Sequence, residues 1–230
     1  MLITYYGHSC FHIQIQGKNI LFDPFITGNQ QASHINISKI EADYILISHA
    51  HNDHVGDSLA IAKRTGATII GIWEVGVWFE KQGISNVVKM NIGGSWQFDF
   101  GKVKLVNAVH TSRFTDGTHG GQPCGFYITT EEGNFYFAGD TALHYDMKLL
   151  GKHANVRFAF LPIGDVYTMD VDDALIASKY IKCDKIIGMH YDSFDLIKID
   201  HAKAKDKFAN QDKKLYLMTI GEKMEMRNEK

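Results

Sequence analysis

Proline is scarce in this chain, 3 residues among 230, and no proline-rich or serine-rich stretch marks a linker. The sequence therefore reads as one compact domain over 1–230, with 45% hydrophobic residues to fill a two-sheet core. Cysteine is equally scarce. Cys10, Cys124 and Cys183 are an odd number without paired spacing, which excludes a disulfide framework and fits a reducing compartment. No apolar run approaches the roughly 20 residues of a membrane span, and the opening MLITYYGHSCF lacks the basic-then-apolar form of a secretory signal. A cytoplasmic protein with no membrane partner is expected. The net charge of −2 offers no basic field, so no nucleic-acid partner is expected either. No GxSxG elbow occurs, and Cys10 and Cys124 have no local catalytic signature, which leaves serine and cysteine nucleophiles without a motif.

Histidine is what the chain has, in one place above all. Residues 49–54 read HAHNDH, directly after the apolar run YILIS at 44–48. Such a run reads as a buried strand, so His49, His51, Asp53 and His54 lie on the loop leaving it, where a rigid scaffold presents functional groups. His49 and His51, two apart in extended chain, point the same way, while the adjacent Asp53 and His54 are expected to diverge. One short loop could then feed two neighbouring metals. Three imidazoles crowded together without a metal would only depress one another's pKa.

Three further apolar runs end in a metal-competent side chain: KVKLVNAVH in His110, NFYFAGDT in Asp140 and DKIIGMHY in His190. Each alone is weak, but together with HAHNDH they are expected to converge on one sheet edge. Gly139 and Thr141 flank Asp140 in a tight turn, and a carboxylate with two oxygens can bridge two cations. Imidazole and carboxylate accept zinc, manganese and iron, ranked here in that order. Two such cations lower the pKa of bound water from 15.7 to roughly 7, giving hydroxide at neutral pH. Asp53 or Asp140 would orient that water or take its proton. Hydrolysis of an ester, lactone, amide or phosphodiester follows as the reaction class.

Other residues invite weaker readings. Asp23, inside LFDPF, needs a partner when buried; it either orients a ligating histidine or shapes a turn with Pro24. Asp165 and Asp170 are further carboxylates near the expected site, and Asp172 and Asp173 fit the first turn of a helix starting near 171. The glycine-rich loop 110–125 reads as a substrate lid, with Arg113 as the charge for an anionic substrate. His144 is expected in the first turn of a helix at 142–150, near enough to touch substrate, and Tyr167 and Tyr191 could add hydroxyls on the same rim. His119 has no clear role, whereas His12, His34, His153 and His201 read as surface or packing residues. Extended and helical runs alternate from residue 2 to 220, with helices at 54–66, 73–83, 142–150, 171–181 and 201–210. The charged tail GEKMEMRNEK is expected to fray.

HAHNDH, His110, AGDT and MH at 189–190 together resemble the metallo-beta-lactamase superfamily. That resemblance implies an α/β fold, a four-layer αβ/βα sandwich in which two mixed sheets are flanked by helices and hold a binuclear site between them. It implies one metal on His49, His51 and His110, a second on Asp53, His54 and His190, and Asp140 bridging them. YYGHSCFHI, ILFDPFI and LPIGDVYTMD resemble the compact branch of metal-dependent hydrolases related to L-ascorbate-6-phosphate lactonase. In that branch Gly7 and His8 would lie near the metals, with His8 an active-site residue, and a homo-oligomer is implied. The expected function is hydrolysis of a small, anionic lactone, ester or phosphodiester. A nuclease or cyclic-nucleotide phosphodiesterase is the alternative, and a metal-dependent binding module without turnover is the third reading.

Overall fold

Short runs of β-branched and aromatic residues alternate with turn-forming Gly, Asn and Asp, and this pattern builds two seven-stranded sheets. A computed structural model describes residues 1–226. The first sheet contains β1 (Leu2–Gly7), β2 (Cys10–Ile15), β3 (Lys18–Phe22), β4 (Tyr44–Ile47), β5 (Thr68–Ile72) and β6 (Val87–Met90) in chain order. β1 to β3 are antiparallel, and β3 to β6 run parallel. The second sheet repeats the scheme with β7 (Ser95–Phe98), β8 (Gly101–Asn107), β9 (Cys124–Thr129), β10 (Phe135–Phe137), β11 (Phe158–Pro162), β12 (Lys185–Met189) and β13 (Lys214–Tyr216). There β7 to β10 are antiparallel and β10 to β13 parallel. β14 (Lys223–Glu225) returns to the first sheet beside β1.

Aromatic side chains from the two inner faces fill the space between the sheets. Phe22 stacks on Phe137 with ring centroids 4.7 Å apart, and Phe11 meets Phe160 at 4.6 Å. All four are fully buried. Outside the sheets lie α1 (Asn52–Val55), α2 (Ser58–Thr65), α3 (Trp73–Lys81), α4 (Met147–His153), α5 (Val171–Tyr180) and α6 (His201–Ala209). α3 packs on β5 and β6, α5 on β11 and α6 on β13. The expected sandwich of two mixed sheets flanked by helices is the one observed. Two backbone hydrogen bonds join the sheets beside the ligand-bearing loops: His190 N–H donates to His8 O (3.0 Å), and Cys124 N–H to Ser48 O (3.0 Å).

Four elements differ from the sequence expectation. The helix expected over 54–66 is two helices, broken at Gly56 (φ +27°), where a Cβ would come within 2.4 Å of Pro24 O. The helix expected from 142 starts only at Met147, because Ala142 N–H bonds to Val109 O and Thr141 Oγ1 bonds to Ala142 O, drawing 141–146 into a turn. The strand expected over 214–220 stops at Tyr216. In the tail, 223–225 pair with β1 instead of fraying, while residues 227–230 lie outside the described residues. Among the described residues no helix is long and apolar enough to cross a membrane.

Phe22 sits in the inter-sheet aromatic stack, so Phe22→Ala should cost about 3–5 kcal/mol of unfolding free energy by urea denaturation. A loss under about 1 kcal/mol would mean that the two faces do not interlock there.

Candidate metal centre

Each candidate ligand leaves a strand at its C-terminal end or sits in the loop that follows. β4 ends at Ile47, and Ser48 to His51 carry the chain into α1, whose first turn holds Asp53 and His54. His110 follows β8, Asp140 follows β10, His190 follows β12, and His8 sits in the turn between β1 and β2. His8 (φ +55°) and His190 (φ +56°) adopt the left-handed backbone that non-glycine residues rarely take. These turns aim both side chains back between the sheets, and the His190–His8 backbone bond fixes one against the other.

The side chains form three overlapping groups, each with ligand atoms within 4.8 Å of one another: His49, His51 and His110; His8, Asp53, His54 and His190; and His49, His54 and Asp140. Asp140 Oδ2 stands between them, 2.9 Å from His190 Nε2, 3.2 Å from His54 Nε2, 3.7 Å from His110 Nε2 and 4.0 Å from His49 Nε2. Adjacent Asp53 and His54 do not diverge as their spacing suggested. The short helix α1 turns both toward His190, with Asp53 Oδ2 3.9 Å from His54 Nε2 and 3.8 Å from His190 Nε2.

Burial and charge keep His8, His49, His51, His110, Asp53 and Asp140 in metal-competent forms. Burial, reinforced by His54, pushes His49 well below the usual imidazole range. His51 and His110 are also lowered chiefly by burial. Burial and the neighbouring His190 bring His8 down to about 4, so it is neutral at pH 7. Burial would raise Asp140 and Asp53, but the surrounding histidines outweigh it and hold both ionised. At His54 burial opposes charge, yet Asp140, Asp23 and Asp53 prevail and raise it well above the usual range. That pocket of carboxylates favours a positive charge, whether an imidazolium proton or a cation that displaces it. His54 Nε2, His190 Nδ1 and Asp140 Oδ1 are buried without a hydrogen-bond partner, although buried polar atoms are nearly always satisfied. The lowered imidazoles of His8, His49, His51 and His110, the ionised carboxylates and the orphaned buried atoms fit divalent cations.

Asp23 organises the cluster from behind. Fully buried, it accepts from Ser48 N–H (2.8 Å) and Ser48 Oγ (2.6 Å), and its Oδ2 lies 2.8 Å from His54 Nδ1. Ser48 Oγ is in turn 3.0 Å from His49 Nδ1. Of the two roles considered for Asp23, it takes that of orienting a candidate ligand. Asp170 instead caps α5 by accepting from Asp173 N–H, Asp172 pairs with Lys207, and Asp165 accepts from Val166 N–H.

The expected substrate contacts do not all gather here. Arg113 lines a groove of about 680 Å3 with His51, His110, His119 and Gln122, its Nε bonded to Gly117 O. The 111–121 segment is a small hairpin held to α3, where Trp78 stacks on Phe114 (4.3 Å) and donates to Asp116. His144 turns away into a cavity under α4, because the turn preceding that helix puts it on the outer side of the second sheet. Tyr191 is buried, and its hydroxyl is spent on Met218 O. Tyr167 is exposed on the 165–168 turn.

Three residues that shape the site carry no sequence motif. Ser193 Oγ lies 2.5 Å from His8 Nδ1, leaving His8 Nε2 3.2 Å from Asp53 Oδ2. Phe194 sets its ring edge against His8 with centroids 5.5 Å apart. Asp57 accepts from Ile26 N–H, Thr27 N–H and Thr27 Oγ1, which anchors the loop that follows Asp23. A serine or aspartate in a polar loop gives no signal of a contact made by distant chain.

A family model described as the beta-lactamase superfamily domain matches residues 2–190. A UPF0173 metal-dependent hydrolase of Flavobacterium johnsoniae is 53% identical over 98% of this chain and 100% of its own. Another, from Christiangramia forsetii, is 52% identical over 98% and 100%. Igni18, a metallo hydrolase of the hyperthermophilic archaeon Ignicoccus hospitalis, superimposes with a TM-score of 0.88 at 34% identity, covering 98% of this chain and 99% of that one. The chain belongs to the metallo-beta-lactamase superfamily and, within it, to the UPF0173 metal-dependent hydrolases.

Asp23→Asn keeps the shape but removes the charge facing His54 Nδ1. It should weaken metal binding about 10–100-fold in a chelator-competition titration, and unchanged affinity would show that Asp23 does not position His54.

Proposed function

We propose that the chain is a binuclear hydrolase acting on a small, anionic lactone, ester or phosphodiester. The observation that carries this reading is the place of Asp140: a carboxylate oxygen within 4.0 Å of His49 and His110 on one side and of His54 and His190 on the other. His49, His51 and His110 would hold one ion and Asp53, His54 and His190 the other, with Asp140 shared and His8 beside the second. Zinc suits this nitrogen and oxygen set first, with manganese and iron next. When bound, such ions polarise a carbonyl or phosphoryl oxygen and make water nucleophilic at neutral pH.

The chain's own residues divide the remaining work. The Asp140 side chain is 2% exposed, whereas that of Asp53 is 28% exposed and opens toward solvent. Asp53, ionised and reachable, is the group to orient the attacking water and accept its proton. Neutral His8, hydrogen-bonded between Ser193 and Asp53, steers that carboxylate and can relay the proton. Arg113, on the groove wall beside His51 and His110, supplies the positive charge for an anionic substrate. Phe194 sets an apolar ring against His8 on that side. The same reading takes in a homo-oligomer in a reducing cytoplasm, in keeping with three buried free cysteines.

Bis(p-nitrophenyl) phosphate and a lactone panel should show turnover that a chelator abolishes and divalent metal restores. Arg113→Ala should raise KM for the anionic substrate about tenfold with little change in kcat, because a rim cation binds ground and transition states alike. A pure kcat loss would move Arg113 into the chemistry, and metal-loaded protein inert on every ester, lactone and phosphodiester offered would contradict the hydrolase.

A further inference from the structure

The His8 ring is fixed in place from all sides. Its carbonyl accepts the His190 N–H (3.0 Å) and the Tyr5 hydroxyl (3.2 Å), and its backbone stands at φ +55°. Phe25, Phe194, His54 and His190 enclose the ring, the last with centroids 4.1 Å apart. What remains to be decided is which ring nitrogen carries the hydrogen. That choice matters, because His8 stands in a group with Asp53, His54 and His190 that could hold an ion, and a ring nitrogen must be bare to bind one.

Two side chains make the choice. His8 Nε2 lies 3.2 Å from Asp53 Oδ2, and an ionised carboxylate only accepts. A bare Nε2 would set two acceptors against each other, so Nε2 carries the hydrogen and donates to Asp53. Nδ1 is then bare and takes a donor, the Ser193 hydroxyl 2.5 Å away. The hydrogen bond made at one nitrogen thus sets the state of the other. Ser193 is itself held by its neighbour Asp192 (φ +61°), which spends every polar atom on the loop. The Asp192 N–H donates to Ile197 O (2.9 Å), its carbonyl accepts Gln31 Nε2 (2.6 Å), its Oδ1 accepts Ile199 N–H (3.1 Å), and its Oδ2 lies 2.6 Å from His201 Nε2. A left-handed residue persists only where its surroundings determine it, and here they determine where Ser193 points.

We propose that Ser193 is a positioning residue whose hydroxyl holds His8 as the Nε2–H tautomer, keeping His8 out of the ligand set and making it the donor that aligns Asp53. The second ion is then left to Asp53, His54 and His190, and Asp53 keeps one fixed orientation toward the water it serves. The effect of Ser193 on turnover rests on the hydrolase reading, whereas the tautomer rests on the hydrogen bonds alone.

The test is a two-bond proton–nitrogen correlation spectrum of the zinc-loaded full chain labelled at histidine nitrogen, read beside kinetics on bis(p-nitrophenyl) phosphate and the lactone panel. Wild-type His8 should show a protonated Nε2 and a bare Nδ1. Ser193→Ala should split His8 between tautomers and lower kcat about tenfold at unchanged KM, since alignment of Asp53 acts on the transition state and not on substrate binding. Ser193→Thr keeps the hydroxyl and should restore both readouts. A wild-type His8 protonated at Nδ1, protonated at both nitrogens or bound to zinc overturns the proposal, which keeps the test decisive if the alanine variant folds poorly. So does a folded Ser193→Ala that retains the single Nε2–H tautomer, or one that loses it with kcat unchanged. A zinc-loaded chain inert on every substrate, yet showing the tautomer and its loss in Ser193→Ala, would contradict the hydrolase and still support the hold of Ser193 on His8.

Discussion

A buried carboxylate with no solvent contact, Asp23, is the point from which the site is held. It grips Ser48 through both backbone and side chain and reaches His54 Nδ1 with its second oxygen. Ser48 passes that constraint to His49. One side chain therefore fixes the end of β4, the orientation of a ring in α1 and, through Ser48, the ring that starts the HAHNDH loop. A carboxylate buried this deeply is costly unless paired and hydrogen-bonded. Its partners are the elements that must not move if the imidazoles are to converge.

The rest of the architecture supplies matching constraints from the other sheet. Cys124 N–H bonds to Ser48 O, and His190 N–H bonds to His8 O, so the two sheets are joined at the strand ends where the side chains meet. Strained turns follow from this. Asp23 (φ +40°), His8 and His190 all sit in the left-handed region without being glycine, a conformation that persists only where the surroundings determine it. Such strain at three positions around one cluster is what a site selected for geometry over local comfort displays.

Much of this was legible in the sequence because strand ends are written locally. The run before HAHNDH and the apolar runs before His110, Asp140 and His190 each announce a strand by composition alone, and the sandwich places their C-terminal ends together. What depended on distant chain was not legible. The break at Gly56 comes from Pro24 O, and the turn at 141–146 from Val109 O; neither neighbour is visible in the local pattern. Tyr191 and His144 looked available because a polar tip near a ligand in sequence need not be near it in space: one is spent on Met218 and the other faces the back of the second sheet. Ser193 and Asp57 lie in ordinary polar loops, and only the folded chain gives them their partners.

Asp140 Oδ2, proposed to serve two metal positions, lies within 4.0 Å of four imidazoles. Plasma mass spectrometry of metal content, on protein purified without chelator or affinity metal and with wild type beside Asp140→Ala, puts that role to the proof. Wild type should carry about two equivalents per chain and the variant clearly less, with the fold retained by circular dichroism, because a shared carboxylate would hold both ions. No metal in the wild type after reconstitution, or full content in the folded variant, would contradict it.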